Sequence, residues 1–311
     1  MKLSFVIPCY RSEKTIRQVY DEIVSVVKQR PAYDYEIVAI NDCSPDKVIE
    51  VLKQLAHEDM RVKVVDCAKN MGKHAALMAG FTYVTGEYVI CVDDDYQCPV
   101  DHLWELLQPL DNGYDVAIAK YGRKKQSKLK NVGSWANALM MTYMIGKPKD
   151  LQFANFTAMK KFVVKEMIRY DGPYSYVNGL ILRTTNKIAN VPMEERNRLD
   201  GVGGYTFKKS LKLWVNGFTA FSILPLRLAT YMGLTFSAAG FLLVVLTVIR
   251  KLVNPAILAG YTSMISVTIF IGGILMFMLG ILGEYIGRIY MCLNRSPQYI
   301  VRQTWNIEDT K

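Results

Sequence analysis

No two of the six cysteines form a CxxC pair and only three histidines are present, so neither a zinc centre nor a disulfide framework is expected. Four of the cysteines lie in or beside apolar, strand-like runs and read as buried free thiols of a reducing compartment. The chain has no GxGxxG, which argues against a dinucleotide-binding enzyme. Nor has it a Walker A loop, because no Gly stands five residues before Gly72. Internal repeats and low-complexity tracts are missing, and the first residues lead into the strand-like SFVIPCY without the long apolar region of a secretory signal. Charge is absent from two long stretches, Leu228 to Ile249 and Leu252 to Gly283. Each can supply the roughly 20 apolar residues that cross a bilayer.

The charged residues crowd into the first two thirds of the 311 residues, as in a soluble protein. The net charge of +10 fits attraction to anionic lipid headgroups and to phosphates of small ligands. Nucleic acid is not an expected partner: KYGRKKQSKLK has little aromatic interleaving and no recognised binding motif.

Along the first hundred residues short apolar runs alternate with helical patterns. LSFVIPCY, YEIVAIND, VKVVDCA and EYVICVDDD read as strands; Glu13 to Gln29, Asp46 to His57 and Lys73 to Val84 read as helices. Nearly continuous apolar strands predict an α/β domain with a mostly parallel sheet covered on both faces. Ligands of such sheets bind beyond the carboxyl ends of the strands, which here carry Pro8-Cys9-Tyr10, Asn41-Asp42 and Asp93-Asp94-Asp95. The expected organisation is a soluble domain over 1–215, where the candidate site lies, an amphipathic interfacial segment over 216–228, a membrane region over 229–287 with spans at 229–249 and 262–283, and a tail over 288–311. Val253 to Tyr261 reads as a short interfacial piece between the spans. Lys208, Lys209, Lys212 and Arg227 before the spans, and Arg288, Arg295 and Arg302 after them, outnumber Arg250 and Lys251 between them and favour both flanks in the cytoplasm. The chain is thus expected to be multi-pass in the cytoplasmic membrane.

The strongest chemical signal is the strand that delivers Asp93, Asp94 and Asp95 to its end. Carboxylates this close repel, and a divalent cation with phosphate oxygens removes the conflict; hard oxygen ligands suit Mg2+ or Mn2+. Alternation puts Asp93 and Asp95 on one side and Asp94 on the other. Asp42 is placed to accept from a base imide or a ribose hydroxyl, with a plain helix cap by Ser44 or Asp46 as the competing reading. Gly72 beside a helix start suits an anion, and Lys73 can reach a diphosphate. Gly272, Gly273, Gly280, Gly283 and Gly287 offer small-residue faces for helix packing, and Glu284 can pair with Arg288 one turn on.

In this order VIPCYRSE, NDCSPD, KNMGKHAALMAG and VDDDYQCP resemble the family 2 glycosyltransferases of GT-A fold, whose usual forms are VIPxYNxE, NDGSxD and DxDxQxPP. The two C-terminal spans, with LPLR before and GEYIGRIY after, resemble the polyprenyl-phosphate glycosyltransferases related to dolichol-phosphate mannose synthase. The resemblance covers nearly the whole chain. It implies Pro8, Tyr10, Glu13, Asp42, Lys73 and Asp94 at the nucleotide, Asp93, Asp95 and Gln97 at the metal, and Lys120, Arg123, Lys130 and Ser134 at the acceptor phosphate. Arg198, Gly203, Tyr205 and Lys208 resemble a later basic segment that closes over the diphosphate. Asp93, Asp95 and Asp150 are the catalytic candidates, Asp150 as an orienting carboxylate.

The implied reaction is inverting transfer from a nucleotide-sugar, with UDP-glucose the first expectation, to polyprenyl phosphate, by a homo-oligomer on the lipid bilayer. The alternatives are a membrane glycosyltransferase with a glycan or protein acceptor, or a non-catalytic membrane scaffold. Three departures stand out: Cys98 replaces the usual Asp after Gln97, Arg11 replaces Asn, and Asp150 to Thr157 stands where relatives have a Gly-Asp-Phe-Arg-Leu-like run. The QxxRW of processive synthases is missing.

Overall fold

The computed structural model describes residues 1–122, 147–148, 150–194, 196, 224–253 and 260–307. They belong to two compact units, Met1–Lys212 with Arg295–Lys311, and Leu213–Asn294.

In the first unit β1 (Lys2–Cys9), β2 (Asp34–Asn41), β3 (Val62–Cys67) and β4 (Tyr88–Cys91) alternate with α1 (Ile16–Lys28), α2 (Val48–Glu58) and α3 (Lys73–Phe81). Residues Leu3 to Cys9 and Tyr35 to Asn41 are buried without a break, because side chains on both faces of these central strands are covered. The helix α1 is amphipathic, burying Ile16, Val19, Ile23, Val26 and Val27. Gly80 lets α3 lie close on the sheet: a Cβ there would stand 2.6 Å from Ile40 Cδ1 and 2.7 Å from Val6 Cγ1.

The sheet continues through α4 (Leu103–Asp111), β5 (Val116–Tyr121), β6 (Thr157–Lys160), α5 (Lys161–Met167), α6 (Val177–Thr184) and β7 (Ile188–Met193). A last strand, β8 (Val301–Trp305), completes the order β7-β5-β6-β4-β1-β2-β3-β8. The pairs β4-β1, β1-β2, β2-β3 and β5-β7 are parallel, whereas β6 and β8 run against their neighbours. The expected mostly parallel α/β sheet is present, with two reversed strands that periodicity did not reveal.

Residues 288–311, read from sequence as a tail, thus contribute an edge strand. Asn306, at φ 54°, fixes its end by donating to Ala56 O at 2.6 Å and Val62 O at 2.9 Å. The Lys53 ammonium lies 5.2 Å from the Trp305 ring centroid.

The second unit contains α7 (Leu224–Val253) and α8 (Tyr261–Leu293). Phe236 and Phe270 meet edge to face at 5.8 Å. Leu252 and Met276 are 76% and 71% exposed, the reverse of the first unit, where Leu3, Phe5 and Ile7 are fully covered. Among the described residues one helical segment, Phe270–Leu293, is long and apolar enough to cross a membrane, with mean hydropathy 1.8. It begins and ends later than the span expected at 262–283. Glu284 and Arg288 form the expected pair at 2.8 Å. A Cβ at Gly272, Gly273, Gly280, Gly283 or Gly287 would meet no described atom within 4 Å; the close approach to a helix glycine is instead Met278 Cε, 3.0 Å from a Cβ at Gly233. Residues 216–223 and 254–259, within the two interfacial segments read from sequence, lie outside the described residues.

Candidate active site

Strands β4, β1 and β2 are adjacent and parallel, so the loops after them share one edge of the sheet. Each loop contains a residue other than glycine with left-handed backbone: Arg11 at φ 59°, Cys43 at φ 48° and Tyr96 at φ 65°. Such conformations cost energy and persist only where surrounding contacts enforce them. Arg11 and Cys43 stand where the resembling patterns have Asn and Gly, the residues that adopt this conformation most readily.

The loops after β1 and β2 are bound to each other. Ser44 Oγ accepts the Arg11 N–H at 2.8 Å, and Asp46 Oδ2 accepts that of Glu13 at 3.0 Å. Glu13 Oε2 accepts the Lys47 N–H at 2.9 Å in return. Asp42 is buried, and its two carboxylate oxygens accept the Met71 and Gly72 N–H groups, each at 2.9 Å. Burial raises its pKa, and the two N–H donors only partly offset this. The Asp42 carboxylate therefore shapes the turn into α3, in which Gly72 has φ 89°. Pro8 lies within β1, paired with Ile40, and Tyr10 is exposed beyond the strand end.

After β4 the three carboxylates diverge. Asp94 turns inward to accept the Tyr10 N–H at 2.8 Å, while its carbonyl accepts the Thr15 hydroxyl at 2.5 Å. Burial, with the charges of Asp93 and Asp95 adding to it, lifts Asp94 to about 6. Asp93 instead pairs with the Lys73 ammonium and accepts from Asn155 Nδ2 at 2.5 Å. Burial works against the Lys73 charge, but Asp93 outweighs it and raises the lysine pKa. Asp95 Oδ1 accepts the Gln97 N–H at 3.1 Å. Next to Lys73, burial and the lysine charge lower His74 to about 4, leaving a neutral ring 5.1 Å from that of Tyr176.

Gln97 is laced to the segment after β7. Its Nε2 donates to Arg196 O at 3.3 Å, and the Arg196 N–H returns to Gln97 O at 3.3 Å. The Arg196 guanidinium pairs with Glu22 at 2.7 Å and Asp101 at 2.5 Å and lies 5.1 Å from the Tyr96 centroid. Lys120 lies near the C-terminal end of β5, which runs the same way as β4 and so brings it to the same edge. Asp150 is exposed in a turn, and among the described residues it makes no hydrogen bond or ion pair with Asp93 or Asp95. The side chain that this departing segment brings to the carboxylates is Asn155. Sequence reasoning missed both Asn155 and Arg196, whose neighbours come from distant parts of the chain. Arg123, Lys130, Ser134, Arg198, Gly203, Tyr205 and Lys208 lie outside the described residues.

Among the described residues no three His, Cys, Asp or Glu side chains converge as a ready metal site. The donors the loop carries, Asp93 with the Asn155 amide beside it and Asp95, are hard oxygen ligands that suit a divalent cation whose coordination is completed by phosphate oxygens. Asp93 already holds one cation, the Lys73 ammonium.

The profile described as "Glycosyl transferase family 2" matches residues 4–168, and that described as "GtrB C-terminal hairpin" matches residues 224–289. The chain is 32% identical to "Uncharacterized glycosyltransferase YkcC" of Bacillus subtilis (strain 168), over 100% of this chain and 96% of that protein. It is 31% identical to "SfII prophage-derived bactoprenol glucosyl transferase" of Shigella flexneri, over 98% of each. In fold it resembles glucosyl-3-phosphoglycerate synthase of Mycobacterium tuberculosis, solved with phosphoglyceric acid, with TM-score 0.52 and 17% identity over 71% of this chain and 80% of that one.

Proposed function

Because the chain belongs to glycosyl transferase family 2, we propose that it transfers a sugar from a nucleotide-sugar to a polyprenyl phosphate at a membrane surface. The observation that carries this reading is the Asp93-Asp94-Asp95 loop, which leaves two carboxylates at the open sheet edge while the third, Asp94, turns back to accept the Tyr10 N–H. The relative named for bactoprenol glucosyl transfer supports a polyprenyl acceptor and makes glucose the first sugar to test. Uridine diphosphate is the expected nucleotide.

Asp93, Asp95 and Gln97 would hold Mg2+ or Mn2+, which when bound offsets the charge growing on the leaving nucleoside diphosphate. The loops over Pro8–Glu13 and Asn41–Asp46 hold the nucleoside, and Lys73 at the start of α3 exchanges Asp93 for the diphosphate. Lys120, with Arg123, Lys130, Ser134, Arg198 and Lys208, receives the acceptor phosphate. A phosphate monoester, with a second pKa of about 6, is already largely ionised at neutral pH. It attacks the anomeric carbon in line and inverts it without a base; Asp150 orients rather than deprotonates. Catalysis then rests on positioning and charge stabilisation. The helices α7 and α8 cross the membrane as a hairpin with both flanks cytoplasmic, and the subunits associate as a homo-oligomer.

The test is transfer to short-chain polyprenyl phosphate in detergent, with a panel of labelled nucleotide-sugars, Mg2+ or Mn2+, and Asp95→Ala as control. A chloroform-soluble product from one donor, dependent on metal and lost in the variant, is expected. Donor binding or hydrolysis without lipid product would overturn the acceptor; no donor binding at all would overturn the transferase reading.

A further inference from the structure

We infer that β8, formed by residues that follow α8, sets the nucleotide end of the site through Arg302, a positioning residue that touches no reactant. The starting point is Asp66 near the C-terminal end of β3, a carboxylate 5% exposed. A buried carboxylate needs partners. It has two from distant parts of the chain: Asn41 Nδ2 at 2.7 Å, and Arg302 across the β3-β8 pair at 3.3 Å. The second arm of Arg302 donates to Ala68 O at 3.2 Å, and Ala68 N–H to Ile300 O at 2.8 Å, fixing the guanidinium against the sheet edge.

From Asp66 onward each donor and acceptor is determined by the one before it. With Nδ2 of Asn41 committed to Asp66, its Oδ1 faces Ser44 and accepts that residue's N–H at 3.0 Å. The Ser44 hydroxyl gives its one proton to Asp46 Oδ1 at 2.5 Å, so its lone pair accepts the Arg11 N–H at 2.8 Å. The other Asp46 oxygen accepts the Glu13 N–H at 3.0 Å. The ladder thus runs from Arg302 through Asp66, Asn41, Ser44 and Asp46 to Arg11 and Glu13. It encloses Arg11 and Cys43, two strained positions that hold their conformation only while their surroundings enforce it. Without Arg302 the buried Asp66 loses the cation that holds it in place, the carboxylate that orients Asn41 is free to shift, and the register of the two loops loosens.

The inference rests on the proposed reading that a nucleoside diphosphate lies against these loops. It is tested on the full-length protein in detergent, with uridine diphosphate and Mn2+ followed by calorimetry. Arg302→Met is expected to raise Kd about threefold, the scale of an ion pair whose arginine is 58% exposed. The donor KM should rise in parallel while kcat stays within about twofold, since the groups around the anomeric carbon are unaltered. Arg302→Lys should recover part of the loss. Asp66→Asn, which leaves the strand pairing untouched, should weaken binding similarly and serves if Arg302→Met does not fold. Trp305→Ala, on the same strand but outside the ladder, should lower Tm without altering Kd. Unchanged binding in Arg302→Met and Asp66→Asn, or equal weakening by Trp305→Ala, would overturn the inference. Failure of the wild-type protein to bind uridine diphosphate would instead overturn the proposed function, and this inference with it.

Discussion

The loops after β1 and β2 and the loop after β4 meet at one edge of the sheet, yet they are held by different means. The first two are cross-linked largely by short side chains and backbone N–H groups, and the carboxylates of Asp42, Asp46 and Glu13 all accept from the backbone. The rest of the β4 loop is held by groups from far away: the Lys73 and Asn155 side chains at Asp93 and the Arg196 backbone at Gln97. A backbone-bonded loop presents a surface before any ligand arrives. A loop held by an ammonium and an amide can exchange those partners for a cation and phosphates. On the proposed reading, the difference teaches that the half assigned to the nucleoside is preformed, while the half assigned to the metal is held by partners that a cation and phosphates can replace.

Removing the charge from the rearranging half should have the largest effect on turnover and little on folding. Asp95→Ala is expected to lower transfer at least ~100-fold, the scale of losing a group that stabilises transition-state charge, with Tm nearly unchanged. A comparable loss of Tm would break the contrast. The preformed half should respond the other way. Asp42→Ala strands two N–H donors and should cost about 2–3 kcal/mol in urea unfolding, whereas Asp42→Asn should cost less because it keeps one acceptor.

Asp94 joins the halves, and its proton gives a pH test. Its folded pKa of about 6 lies above the ordinary 3.8, so its contribution to stability is complete in acid and is lost as pH rises through about 6. Asp94→Asn removes that loss: between pH 4 and 7 its stability relative to wild type should rise by on the order of 2 kcal/mol, measured with chelator present. A flat difference would show that Asp94 is not the titrating clasp. The smallest effect is expected at Cys43, where Gly relieves a left-handed side chain. Cys43→Gly should gain about 0.5–1 kcal/mol in the same unfolding assay, and a loss would mean that the thiol contributes packing the backbone strain conceals.

The alternation of β1 to β4 with α1 to α3 was legible because central parallel strands bury both faces and so spell unbroken apolar runs. The carboxylates at the end of β4 were legible for the complementary reason: local chemistry alone makes such a cluster costly without a partner. What the sequence did not disclose depends on contacts between distant segments. Nothing near Val301-Arg302-Gln303-Thr304-Trp305 marks it as the partner of β3, since three of its five residues are polar and the strand it pairs with lies more than two hundred residues earlier. Asn155 is an ordinary loop amide until β6 is placed beside β4. The left-handed turns at Arg11 and Cys43 were hidden because neither residue type announces a positive φ; the patterns with Asn and Gly at these places held the only trace of it.

The position of β8 also dictates an order of events during synthesis. Until it pairs, β3 is the bare rim of the sheet, with unsatisfied N–H and C=O groups along a buried-type apolar strand, the kind of edge that recruits other chains. The residues that cover it are translated after both long helices. The nascent sheet must therefore wait, open on one side, while α7 and α8 emerge, and it closes only when they have been delivered. A chain that stops before β8 is left with an adhesive margin on β3, because the strand that covers it comes last in the chain.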